Sequence, residues 1–388
     1  MKFLHLADLH VGKVVNGFAM LDEQRYIFSQ IVECVRVEKP DAVLIAGDVY
    51  DRPVPGADAV VLFDEFLTDL AETGVTVMLV SGNHDSPERL SFASRLLRDR
   101  RLYLCGTRSG APLCVPLDDE YGDVCFWLMP FIKPAFLRSD ADADHLHDHI
   151  HIESYFDAFD AVLSRADIDY SRRNVLVSHQ FFISAGIDPL RSDSEMNPVG
   201  GLDAIDASLI SGFDYAALGH LHMAQKVGKD SVRYAGSPLK YSFSEWRREK
   251  TMTMVEIRQK GDVTITALPL KPRHDMRVIK GRISDLLDES VVSQGDRYDY
   301  IHVILTDDSE IIDPMDKIRA AYPHVMSMES DNARSQAMFA AAMPEGGALA
   351  ASSPYDLFSE FFLQFSGRAM SDTQSRIVRE LLEAGEVQ

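Results

Sequence analysis

Five short polar blocks each follow an apolar run: Asp8-Leu9-His10, Gly47-Asp48, Gly82-Asn83-His84-Asp85, Ser178-His179-Gln180 and Gly219-His220-Leu221-His222. Singly, most are weak signals. A Gly-Asp turn after a strand is common, because Asp tolerates unusual backbone and bonds locally. A lone Ser-His behind Val175-Leu176-Val177 is more often a satisfied histidine than a ligand. The pairs Asp8/His10 and His220/His222 say more, since alternate side chains of an extended segment point the same way. The set is stronger than its members. Asp8, His10, Asp48, Asn83, His179, His220 and His222 are all oxygen or nitrogen donors with no thiolate among them. That mixture suits Mn²⁺, Fe²⁺ or Zn²⁺ better than a cysteine-based structural zinc. One carboxylate shared between two ions would hold them about 3.5–4 Å apart, the separation that two-metal phosphoester hydrolysis uses.

Such residues must be carried by elements that bring them together. Val43–Ala46, Val75–Val80, Val175–Ser178 and Tyr215–Gly219 read as buried strands. Helical spacing of apolar residues predicts helices over 21–38, 58–73, 87–98 and 151–166. Strand, turn and helix repeated in this way predict a layered α/β core with functional residues at strand C-terminal ends. Near Leu268-Pro269-Leu270-Lys271-Pro272 the pattern changes: 276–281, 298–306 and 322–328 read as strands, with helices near 283–290 and 313–321. The expected division is a catalytic region 1–270, a small α+β capping region 271–330, an Ala/Met/Gly/Ser-rich linker 331–352 and a helical hairpin 353–388. Ser353-Pro354 fits a helix start, and Ser371 with Gln374 fits a capping box. Leu357, Phe361, Phe362 and Phe365 make one apolar face, and Ile377, Leu381 and Leu382 another. Packing of this hairpin on its own chain and docking into a partner's groove are equal alternatives from physics alone.

Composition bounds the rest. At 388 residues, with 46% hydrophobic and 26% charged, the chain is long enough for two or three domains. The apolar strand beginning at Lys2 leaves no room for a secretory signal, and no run approaches a membrane span, so the cytoplasm is the expected location. Cys34, Cys105, Cys114 and Cys125 form no Cys-x-x-Cys pair and read as small buried hydrophobes. The net charge of −21 argues mildly against nucleic acid, whose phosphates usually meet a basic stripe. Against that, acidity also keeps proteins soluble, and bound divalent cations invert the local sign.

The five blocks, in this order, resemble those of the calcineurin-like metallophosphoesterase superfamily. More closely, Phe3-Leu4-His5-Leu6-Ala7-Asp8-Leu9-His10-Val11-Gly12, Gly219–His222, Tyr234-Ala235-Gly236-Ser237-Pro238 and Tyr241-Ser242-Phe243-Ser244-Glu245 are similar to the SbcD family, the nuclease components of bacterial SbcCD complexes. The resemblance implies that Asp8, His10, Asp48 and His222 hold one ion and that Asp48, Asn83, His179 and His220 hold another, most often Mn²⁺. It implies that His84 stabilises the transition state or protonates the leaving oxygen; the alternative is a hydrogen-bonding partner of the ligands. Asp85 would orient His84, as carboxylates often orient histidines. Also implied are 3′-to-5′ exonuclease action on double-stranded DNA ends, endonuclease cutting of hairpins, and a role in repair and recombination. The partners would be a second copy of the chain and two SbcC-like coiled-coil ATPase chains, a heterotetramer in which the terminal hairpin clasps the coiled coil. Helices 58–73 and 87–98 would then form the dimer interface. No Gly-x-x-x-x-Gly-Lys-[Ser/Thr] loop occurs, so any ATP dependence must come from such a partner.

A phosphodiesterase or phosphatase on small molecules or phosphoproteins shares this metal site and is slightly favoured by the acidity. His145, His147, His149 and His151 lie in an acidic stretch and read as a solvated face before they read as a metal tract. Tyr50-Asp51-Arg52-Pro53 lines a substrate channel or is an ordinary loop.

Overall fold

The computed structural model describes residues 1–106, 111–139, 152–195, 203–309, 311–331, 355, 358–359, 361–363 and 369–385. Two six-stranded sheets pack face to face. The first runs in the order Val263–Leu270, Lys250–Ile257, Lys2–Leu6, Ala42–Ala46, Thr76–Val80, Leu102–Cys105. Its last four strands are parallel to one another, while Lys250–Ile257 and Val263–Leu270 join antiparallel. The second runs Gln225–Val227, Lys229–Tyr234, Tyr215–Gly219, Arg173–His179, Gly122–Met129, Leu113–Asp119.

Period-two alternation sorts each strand's side chains. Phe3, Leu44 and Met78 of the first sheet meet Phe126, Val175 and Tyr215 of the second in one apolar layer. The Phe3 and Phe126 rings sit edge to face at 5.5 Å, and burying each side chain contributes about 2 kcal/mol. The intervening residues Leu4, Val43, Ile45 and Val77 turn to the other face, where Leu21–Glu38 and Ala57–Glu72 cover them with Ile27, Phe28, Leu62 and Phe66. Tyr155–Leu163 covers the outer face of the second sheet through Phe159 and Val162. Strands buried on both faces explain the near-continuous apolar runs in the sequence.

The expected helix over 87–98 is broken. Pro87–Leu90 and Ser94–Leu97 are separate turns, and Ala93 between them has φ +57°. Beside the interruption, the Ser91 hydroxyl donates to the Pro87 carbonyl at 2.7 Å and accepts from Gly106 N–H at 3.1 Å, tying the segment to the end of the strand Leu102–Cys105. Of the cysteines only Cys125 is buried; Cys34, Cys105 and Cys114 are partly exposed, and all four are free. The strands Met276–Gly281, Tyr300–Leu305 and Val325–Ser330 form a three-stranded sheet in that order.

Contacts divide the chain into two compact units. One comprises Met1–Ile279, Ser284–Val303 and Met315–Met328; the other comprises Lys280–Ile283, Ile304–Pro314 and Glu329–Gln388. In the second, Asp307 accepts from Ile283 N–H at 2.8 Å, and Asp331 N–H donates to the Leu305 carbonyl at 2.8 Å. The helix Asp372–Gly385 starts at a capping box, with Gln374 N–H donating to Ser371 Oγ at 3.3 Å and Ser371 N–H to Gln374 Oε1 at 3.0 Å. The linker 331–352 past Asp331, the Ser353-Pro354 start, Leu357, Phe365 and the His145–His151 tract lie outside the described residues. Among the described residues no helix is long and apolar enough to cross a membrane.

Candidate metal centre

Parallel register sets the neighbours of the site. Leu6 pairs with Ile45, Ala46 with Val80, and Gly219 with His179. The ends of these strands and the turns leaving them carry Asp8, Asp48, Asn83, His179 and His220. The backbone there is unusual: Asp8, His10, Asp48 and His220 have φ of +53°, +46°, +47° and +113°. Such conformations cost non-glycine residues about 1–3 kcal/mol each and persist only where surroundings over-determine them. Asp8 N–H to the Gly47 carbonyl (3.0 Å) and His10 N–H to the Asp48 carbonyl (2.9 Å) lock two of these turns together. Gly82 is required by proximity, because a Cβ there would lie 2.1 Å from Asp48 Oδ1 and 2.4 Å from Asp48 N.

All seven expected ligands converge. Asp8, His10 and His222 present ligand atoms within 4.8 Å of one another, as do Asp8, Asp48 and His179. Asp48 Oδ2 lies 3.7 Å from His10 Nε2 and 3.3 Å from His179 Nε2, which puts its carboxylate between the two halves of the cluster. Asn83 Oδ1 is 3.0 Å from both His179 Nε2 and His220 Nδ1. His220 N–H donates to Asp8 Oδ1 at 2.9 Å.

The proton arrangement reveals a site built for cations. His179 Nδ1 is 2.8 Å from the Ala46 carbonyl, which only accepts, so Nδ1 carries a hydrogen. Its Nε2 then faces two further oxygens, those of Asn83 and Asp48. A neutral ring would oppose them lone pair to lone pair; only a second proton or a cation satisfies all three. Burial works against that second proton, but the Asp48 and Asp8 carboxylates outweigh it and raise the His179 pKa to about 9. Asp48, for its part, is held well below the usual carboxylate range: burial opposes this, and His179 and His10 overcome it. His10 and His222 meet Nε2 to Nε2 at 3.1 Å, a contact satisfied either by one ring's N–H donating to the other or by a cation facing both lone pairs. His10 Nδ1 is buried without a hydrogen-bond partner, the Asp51 carboxylate lying 3.4 Å away outside bonding geometry. Burial keeps the pKa of His220 near 3 and that of His222 well below its ordinary value, so both rings present lone pairs. Three buried imidazoles, the partly buried His220 ring, two buried carboxylates and an amide oxygen thus fit divalent cations of borderline softness.

His84 sits at the rim, 28% exposed, with Nε2 4.0 Å from Asp48 Oδ2. Its Nδ1 is 3.0 Å from the Asp51 carbonyl and must therefore donate, leaving Nε2 as the atom that gains or loses a proton. The structure gives Asp85 a different job from orienting that ring. Its carboxylate is buried and accepts from Gly82, Val49 and Tyr50 N–H groups at 2.8, 3.1 and 2.9 Å, stapling the 48–50 turn to the 82–85 turn. Burial and the Asp48 charge raise its pKa to about 6.

Several supports went unrecognised in the sequence. Gln24, on the buried face of Leu21–Glu38, donates to the Leu9 and His10 carbonyls at 3.2 and 2.8 Å and accepts from Gly12 N–H at 3.0 Å. Behind His222, Ser194 Oγ lies 2.7 Å from its Nδ1 and donates to Glu245 at 3.2 Å. Glu245 forms a buried ion pair with Lys250, whose ammonium also donates to the His222 carbonyl and to Ser237 Oγ, both at 2.8 Å. The Gly236-Ser237-Pro238 and Ser242–Glu245 segments were the available signal, because polar residues so placed need partners. Nothing in the sequence marks Gln24.

Residues 1–224 match the family described as calcineurin-like phosphoesterase, and residues 272–365 match one described as the type 5 capsule protein repressor C-terminal domain, SbcD_C. Two curated relatives, both named as the SbcD component of the nuclease SbcCD, are similar along most of their length. The protein from Staphylococcus epidermidis is 32% identical over 85% of this chain and 85% of its own. That from Staphylococcus saprophyticus is 32% identical over 84% of each. Among solved structures, a dimetal phosphatase from Danio rerio aligns with TM-score 0.41 and 13% identity, covering 70% of this chain and 96% of that one.

Proposed function

Since the chain belongs to the calcineurin-like phosphoesterases, and within them to the SbcD family, we propose that it is a Mn²⁺-dependent DNA nuclease. It acts as a 3′-to-5′ exonuclease on double-stranded ends and an endonuclease on hairpins, in the cytoplasm, with an SbcC-like ATPase in repair and recombination. The observation that carries this reading is the convergence of seven nitrogen and oxygen donors beside a partly exposed histidine, in a chain 32% identical to a named nuclease component.

Asp8, His10, Asp48 and His222 are proposed to hold one divalent cation, and Asp48, Asn83, His179 and His220 the other. When bound, such cations bring the pKa of a water toward neutrality and offset charge on the phosphodiester. The chain's own groups do the rest. Asp48 faces both halves of the cluster, and His179 would hold a cation through Nε2, releasing that proton to solvent and keeping Nδ1–H on the Ala46 carbonyl. His84 keeps Nδ1–H on the Asp51 carbonyl and offers Nε2 to the leaving oxygen as general acid. Asp85 and Gln24 keep the ligand-bearing turns in place.

In the same reading, region 1–270 is catalytic and region 271–330 caps it. Beyond the linker 331–352, the hairpin 353–388 binds the ATPase, and two copies of the chain pair through the helix expected over 58–73 and the broken segment 87–98. The matches to residues 1–224 and 272–365 support a division near 271. The experiment is degradation of a labelled linear duplex in Mn²⁺, with an EDTA control. Metal-dependent loss of duplex is expected. Intact duplex, with and without the ATPase, beside rapid hydrolysis of an aryl phosphodiester would move the substrate to a small phosphodiester.

A further inference from the structure

Against the back of His222 lies a cleft of about 410 Å³ whose lining includes Arg233, Arg247, Arg248 and Glu249. Both sheets contribute to it: Arg233 comes from the strand Lys229–Tyr234, and Ala267 from Val263–Leu270. Its charge runs against the composition. The chain has 60 Asp and Glu against 39 Lys and Arg, yet among the described residues Glu249 is the one carboxylate in this lining, beside three arginines and Lys250. Lys250 is already neutralised by Glu245. Among the described residues none of the three guanidinium groups has an ion pair. Asp230, whose charge couples to Arg233, is itself held by Lys226 at 2.7 Å.

Two features show that these cations are positioned. Arg233 Nε is buried and has no hydrogen-bond partner, an expensive state for a donor. The Arg247 guanidinium lies over the Trp246 ring at 4.6 Å, a cation–π contact that restrains it while its N–H groups can still meet a bidentate acceptor. The turn carrying Arg247 and Arg248 is anchored by Arg248 N–H on the Glu245 carbonyl at 2.8 Å. Glu245 also connects through Ser194 to His222.

We infer that this cleft is a phosphate-binding subsite, in which Arg233, Arg247 and Arg248 hold backbone phosphate of a nucleic-acid strand engaged at the metal centre. The inference rests on the nuclease reading. A planar guanidinium fork matches phosphate oxygens, and a cleft of a few hundred Å³ admits a nucleotide-sized group. A released mononucleotide offers the same phosphate chemistry, so the test separates the two sources.

The full chain is compared with Arg233→Gln and with the exposed pair Arg247→Gln/Arg248→Gln. Binding of a labelled duplex is measured in EDTA from 50 to 200 mM salt, inhibition by dAMP is measured in Mn²⁺, and hydrolysis of an aryl phosphodiester checks the metal centre. Expected are roughly tenfold weaker duplex binding and, for the double variant, a salt slope shallower by about 1.8, near 0.9 per phosphate. Aryl phosphodiester hydrolysis should be unchanged. Weaker inhibition by dAMP with unchanged duplex binding would keep the subsite and assign it to the product. Wild-type duplex affinity, salt slope and dAMP inhibition in both variants would overturn it. A wild type that neither binds nor cuts DNA, yet hydrolyses the aryl diester, removes the nuclease reading and this inference with it.

Discussion

His84 and His179 each have one nitrogen committed to a backbone carbonyl, and that commitment defines what the other can do. In His84 the Asp51 carbonyl holds Nδ1–H, so chemistry falls to Nε2. His84→Gln is expected to keep the fold and two metal ions per chain while lowering turnover about 10²–10⁴-fold, the usual contribution of a general acid. Turnover within a few-fold of wild type would remove His84 from catalysis. Asp48 lies close to His10, His84 and His179 at once, so Asp48→Asn should weaken both ions. Elemental analysis finding two tightly held ions in that variant would rule out a shared carboxylate. His179 adds a pH dependence. Its folded pKa of about 9 lies above the ordinary 6.5, so in EDTA the protonated ring stabilises the fold fully below about pH 6.5. That stability is lost as pH rises toward 9. Metal competes for the same nitrogen, so apparent metal affinity should climb over the same window, with proton release measurable by calorimetry in buffers of different ionisation heat. A pH-independent affinity would contradict the protonated resting state.

At the scale of elements, the site depends on strand ends held in register and on turns pressed together without side chains between them. Gly82 is where the 82–85 turn passes closest to Asp48. Gly82→Ala must push one turn off the other, at about 1–3 kcal/mol of overpacking, and it moves the carboxylate that both halves of the cluster approach. A lower melting temperature together with weakened metal binding is expected; unchanged metal affinity would mean the turns yield elsewhere. The broken segment after Pro87 makes a related point. Its apolar spacing suits one helix, but Ala93 turns left-handed and the Ser91 hydroxyl ties the first turn to Gly106, contacts that the spacing does not record.

Across the whole molecule, catalysis and partner binding are proposed to sit in different parts of the chain. Deleting residues 350–388 is expected to leave metal-dependent cleavage of DNA intact and to abolish co-purification with a coiled-coil ATPase. Retained co-purification would place that contact elsewhere. The exposed Phe358 and Phe361, 41% and 59% accessible, are the side chains this docking would cover.

The sequence by itself determined most of the element types and picked out the seven donors that converge. Apolar runs specified Ala42–Ala46, Thr76–Val80 and Tyr215–Gly219 almost residue for residue, because a strand buried on both faces has little compositional freedom. The seven donors stood out for a related reason, since polar residues at the ends of such runs have no packing explanation. What only the tertiary structure decided is how those donors share protons and backbone. The left-handed turns at Asp8, His10 and Asp48, the stapling role of Asp85, the support from Gln24 and the arginine cleft behind His222 all join residues far apart in the chain. A sequence records which groups are present. Which lone pair faces which hydrogen is settled only when two sheets pack and water is excluded, because burial then makes every unmatched polar atom costly.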